Sequence, residues 1–195
     1  MPAFQFLFAL ALASPEALAD QLRSQGATAL QLHRLQLDAD TPLEAVIQYE
    51  LPGKGVHAIV LDQRGAEWRE AGRFNSWWNF TKTDADRFLE FRETVEGGVK
   101  DILIRTRSGG TEDARTTLEI TRLKDGAVVT VLSIKEHETA MEHPSGDVFT
   151  TEAKLSFAPG AITVHSTRHP GNVLTCQLHR WNAAAFRFDE TPCPK

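Results

Sequence analysis

The sequence has 195 residues, of which 42% are hydrophobic and 24% charged, with a formal net charge of −5. That balance excludes a disordered chain as the default and fills one sizeable core, either in a single domain or in one built from two similar halves. A mildly acidic chain without a Lys/Arg block lacks the electrostatic footprint of a nucleic-acid binder and the polybasic patch of a membrane-surface protein.

The first thirteen residues, MPAFQFLFALALA, carry no charge, and Phe4 to Ala13 is an apolar run broken only by Gln5. A membrane-spanning helix needs about 20 apolar residues, so no transmembrane segment is expected. The run has the length of the apolar stretch of a secretory signal peptide, although no basic residue precedes it. Small-x-small cleavage patterns end at Ala13 and at Ala19, giving a signal peptide over 1–13 or, alternatively, 1–19. The competing reading is a buried N-terminal strand or helix. Export makes the expected location periplasmic or extracellular, and residues 14–195 the mature β-rich domain.

Ser14-Pro15-Glu16 reads as a helix start: an N-cap serine, proline at the first helical position and an acid in the first turn. Ala17, Leu18 and Leu22 then give a short apolar face, and Gly26 a stop. From Ala27 the period changes to two. Strands are expected around Leu30–Leu37, Ala45–Leu51, Val56–Asp62 and Glu67–Phe74, with Pro52-Gly53-Lys54-Gly55 and Gln63-Arg64-Gly65 as turns. A brief helical interruption is expected near Thr83 to Phe88, where Thr83 or Asp84 can cap. Phe88–Val95 and Lys100–Arg107 flank Gly97-Gly98. Thr116–Leu123 and Ala127–Ile134 flank Asp125-Gly126, one of the strongest short hairpin signals. Phe149 to Phe157 alternates as a half-wet strand, followed by Pro159-Gly160, Ala161–Ser166, Pro170-Gly171-Asn172, Val173–Arg180 and a last short strand around Phe186 and Phe188. Turn signals at strand-length intervals predict a mainly β fold: an antiparallel meander, sandwich or open barrel with a short N-terminal helix.

Within this pattern, RLQLDADTPLEAVIQY and HAIVLDQRGAEWREAGRF give residues 35–74 a distinct texture. A strand runs into an Asp-x-Asp loop, an apolar strand follows, and the next strand carries a Trp. This resembles the hairpin unit of FG-GAP/VCBS-type repeats of secreted bacterial proteins. The resemblance implies a calcium loop, with Asp38 and Asp40 matching the first two acids and Glu44 standing in for the later one. Oxygen ligands at alternating positions wrap a hard cation. Thr41-Pro42 replaces the family's glycine-containing turn, and the same residues also make an ordinary solvated turn.

Trp68, Phe74, Trp77, Trp78 and Phe80 concentrate aromatic area in thirteen residues. Exposed, Trp68, Trp77 and Trp78 would offer stacking surface to a ligand; buried, they are core. The segment Lys135 to Asp147 reads as the longest polar connection and holds His137, Glu138, Glu142 and His143. These are either metal ligands or an acid/base pair, or a solvated loop, and the spacing fails both H-E-x-x-H and H-x-x-E-H. His165 and His169 read as surface residues. Cys176 and Cys193, an even pair in an exported chain, are expected to form a disulfide, against the alternative of two thiols. No nucleophile elbow, phosphate loop or dinucleotide fingerprint occurs. The functional expectation is an exported, non-catalytic β domain that binds a protein or a surface polymer or has a structural role. The alternative is a metal-assisted hydrolase with its site in the 135–147 loop.

Overall fold

The computed structural model describes residues 14–40, 42–76, 88–109, 113–142 and 145–194. Residues 83–87 of the helical interruption expected near Thr83 to Phe88, and Trp77, Trp78 and His143, lie outside them. In chain order the elements are α1 (Pro15–Ser24), β1 (Thr28–Leu35), β2 (Glu44–Leu51), β3 (Gly55–Arg64), β4 (Glu67–Ser76), β5 (Leu89–Arg92), β6 (Asp101–Gly109), β7 (Ala114–Lys124), β8 (Ala127–Glu142), β9 (Asp147–Ala158), β10 (Ala161–His169), β11 (Val173–Asn182) and β12 (Arg187–Pro192). Strands β1–β4 form one antiparallel sheet and β5–β12 a second, each a meander in which sequence neighbours pair.

The local chemistry explains the elements. Ser14 caps α1 by accepting the Ala17 N–H at 3.1 Å, with Pro15 opening the first turn. Asp125 and Gly126 both take positive φ, 53° and 78°, as a tight two-residue hairpin requires, and join β7 to β8. Gly53, Gly65 and Gly160 take positive φ at the other expected turns.

Alternation of side chains then builds three layers. One face of the first sheet presents Val46, Val56, Ala58 and Val60 to Ile102, Ile104 and Leu123 of the second, closing the core between the sheets. The other face presents Ala45, Ile47, Tyr49, Ile59 and Leu61 to Ala19 and Leu22 of α1. Both faces of β2 and β3 are therefore covered, which is why these strands read as nearly continuous apolar runs. The opposite side of the second sheet carries Leu103, Leu118, Ile120, Ile162, Val164 and Phe188. There β12 approaches β8 although three strands separate them, so β8–β12 curl around a third apolar cluster. Between the two sheets, β4 approaches β8 at Gly72, where an added Cβ would meet Val128 at 2.9 Å.

The expected loop over 135–147 is a correction. β8 continues unbroken to Glu142, pairing with β7 as far as Thr139↔Ala114 and with β9 from His137↔Glu152 to Glu142↔Asp147. Polarity made the segment look like a connection, but a strand flanked on both sides satisfies its backbone groups by pairing, whatever its side chains. The segment is an inner strand of a long arm, between β7 and β9.

Candidate functional site

The arm ends where β8, β9, β10 and β11 reach beyond β12, which pairs with β11 only from Gln177 onward. Three large apolar side chains stand open to solvent at this end: Val148 at 51%, Val173 at 55% and Leu174 at 76% exposed. Residue 148 opens β9, and residues 173 and 174 open β11 after the Pro170-Gly171-Asn172 turn. Val148 and Val173, with Asp147, Phe149, Arg168 and Pro170, line a groove of about 450 Å³. The Arg168 guanidinium lies over the Phe149 ring, 4.1 Å from its centroid, and so covers that face of the ring.

Further along the same side, toward the third apolar cluster, Ser133, Thr151, Ser166, Thr175 and Gln177 line a second groove of about 470 Å³ over Ile134 and Val164. Thr151 pairs across the strands with Arg168, so the two grooves adjoin. His179 and Glu190 form a cross-strand pair in this groove, and Glu190 accepts from the Gln177 amide at 3.1 Å. Burial holds the His179 imidazole below its ordinary range, against the pull of Glu190.

The structure redistributes the residues singled out in the sequence. Trp68 is 6% exposed in the cluster beneath α1, with Arg34 stacked 4.7 Å from its ring centroid and in turn paired to Glu16 of α1 at 2.6 Å. It is core and offers no open face to a ligand. His137 and Glu142 are five residues apart along one extended strand, about 16 Å of backbone at 3.3 Å per residue. His137 contacts the Thr139 hydroxyl at 3.2 Å. Glu138 is held by Arg115 at 2.6 Å and Lys135 at 3.1 Å. Burial pushes its carboxyl up, and those two cations outweigh burial and leave it below its usual range. His165 and His169 are exposed. Cys176 and Cys193 form a disulfide with Cα atoms 5.9 Å apart, compatible with an oxidising environment. Among the described residues no helix is long and apolar enough to cross a membrane.

Of the acidic loop residues, Asp38 and Glu44 do come together, but Asp40 does not join them. Its backbone N–H donates to Asp38 Oδ1 at 3.0 Å while the residue itself faces solvent. The third acid is Asp62, at the end of β3, a position that sequence reading left unmarked. The register could have found it. Ala45 pairs with Leu61, so one further step of the ladder sets Glu44 opposite Asp62.

Comparison of the chain with protein-family models, with curated proteins and with solved structures gives no match.

Proposed function

We propose that the chain is an exported, non-catalytic module that binds another protein through the open end of its β8–β11 arm. The observation that supports this reading is the exposure of Val148, Val173 and Leu174 at the end of the arm, where Val148 and Val173 line the groove of the Arg168–Phe149 stack and Leu174 stands on the opposite face. Exposed apolar side chains beside an arginine and an aromatic ring are the composition of an interface centre. Arg168 lies over one face of Phe149 and closes that face to a stacked sugar ring. An anionic lipid surface would meet Asp147 in the groove lining and a net charge of −5. Export is supported by the apolar segment 1–13 and by the disulfide. Cleavage after Ala13 leaves α1 whole, whereas cleavage after Ala19 would cut through it.

The test places a photo-crosslinking amino acid at residue 174, and at residue 21 on α1 as a control, in cells that produce the protein. One adduct of defined mass at 174, absent at 21 and lost when Val173→Asp is added, is the expected result. No adduct, the same adducts at both positions, or a product of two copies of this chain would overturn the reading.

A further inference from the structure

Asp38, Glu44 and Asp62 each offer a carboxylate oxygen within 4.8 Å of the other two. Their placement follows from the sheet. Glu44 shares the side of β2 that bears Val46, and Asp62 the side of β3 that bears Val60, so both point into the space between the two sheets. Glu44 is 0% and Asp62 2% exposed. Like charges set opposite each other on neighbouring strands repel even at a surface, and burial withdraws the water that would screen them.

The surrounding protein answers only half of this charge. Glu44 Oε2 accepts the Leu37 backbone N–H at 2.5 Å, and Asp62 Oδ2 accepts from Arg64 Nε at 2.7 Å. The remaining oxygens, Glu44 Oε1 and Asp62 Oδ1, are buried and accept no hydrogen bond. An orphaned carboxylate oxygen is among the costlier defects a fold can carry, and most buried polar atoms find a partner. Two of them in one cluster, with the half-buried Asp38 above, form a pocket of acceptors lacking a donor. The three carboxylates share one guanidinium, and Asp40 beside Asp38 adds to the uncompensated negative charge.

We infer that Asp38, Glu44 and Asp62 form a binding site for a hard divalent cation, calcium or magnesium, that ties the β1–β2 connection to β3 beneath the β7–β8 turn. The donor set is oxygen only, without the histidine or thiolate that favours zinc or copper. The two orphaned oxygens are the inner ligands, Asp38 supplies the outer carboxylate, and water completes the shell. A dication offsets the excess negative charge of the cluster. The β7–β8 turn reaches the site because Gly126 lies against the Arg64 guanidinium and the Asp62 carboxylate, leaving no room there for a side chain. The site therefore binds together three segments that are far apart in the chain.

The experiment strips the purified protein with a chelator and titrates calcium, and separately magnesium, by calorimetry and by thermal unfolding at pH 7.5. The wild type is expected to bind one ion per chain and to melt at a higher temperature with it. Glu44→Gln and Asp62→Asn should each lose affinity at least tenfold. Because the like-charge contact is also removed, their metal-free forms should melt no lower than the metal-free parent. Asp38→Asn, at the half-exposed position, tests the site without touching a buried group and should weaken binding less. No heat and no thermal shift with either ion in the wild type would overturn the proposal. So would a response that survives in all three variants, since the ion would then bind elsewhere.

Discussion

Gly72 shows how a single hydrogen in place of a methyl group can decide whether two sheets meet. Its backbone is ordinary extended strand, so the residue is not required by conformation. It is required by Val128, whose Cβ lies 3.0 Å from where an alanine Cβ would stand. Gly72→Ala should destabilise the protein by about 1–3 kcal/mol, the usual cost of overpacking. Adding Val128→Ala removes the Cγ2 contact at 2.9 Å but keeps the Cβ at 3.0 Å, so it should recover only part of that loss, which urea unfolding of the four-member cycle would measure. A neutral Gly72→Ala would mean that the sheets separate at this point without cost. At this scale the sequence was only partly legible. Gly126 announced itself through Asp-Gly, and Asp38 and Glu44 through their loop. Gly72 and Asp62 gave no signal, because their roles depend on partners on other strands that only the register brings near.

At the scale of elements, the disulfide fastens the segment after β12 back onto β11, bridging 17 positions of sequence. Cys176→Ser should lower stability by about 3 kcal/mol on the chain-entropy account. Denaturant unfolding of oxidised parent and variant checks this, and identical midpoints would show that the link constrains nothing. Most strands and turns could be read from their sequences, since Pro-Gly, Asp-Gly and Gly-Gly punctuate apolar alternation and the turns fall where expected. The 135–142 stretch was the failure. Its residues are polar because one side of the arm is open, and polarity on a two-sided pairing strand looks the same as polarity in a loop. Trp68 was ambiguous for the opposite reason: an aromatic residue near a turn serves equally well as anchor or as core until α1 is seen to cover it.

For the molecule as a whole, the carboxylate cluster sets a pH dependence. Burial raises the Glu44 carboxyl from 4.5 to about 6, with Asp38 and Asp40 adding to the rise and the Leu37 N–H opposing it. An acid whose pKa is higher folded than unfolded keeps its proton longer in the native state. Metal-free stability due to Glu44 is therefore greatest below pH 4.5, falls as pH rises through 6, and is level above, a change of about 2 kcal/mol. His33, His57 and His179, lowered by burial, act in the opposite sense and cost stability as pH falls below 6.5. The difference between wild type and Glu44→Gln cancels the histidines. Measured without metal from pH 4 to 8, it should move by about 2 kcal/mol in favour of the variant and then level off. A difference that stays constant would place Glu44 in an ordinary solvated environment.

The meander has a consequence for the order in which the molecule can be assembled. Within each sheet, every strand after the first pairs with the one made just before it, so each sheet can grow in the direction of synthesis. The two sheets then meet where β4 approaches β8, and β12 meets β8 and Cys193 meets Cys176 only once the last hairpin is in place. The two thiols thus record that step: where an oxidant is present to take their two electrons, they couple once the last hairpin brings them together, and a chain protected from an alkylating reagent has made that contact.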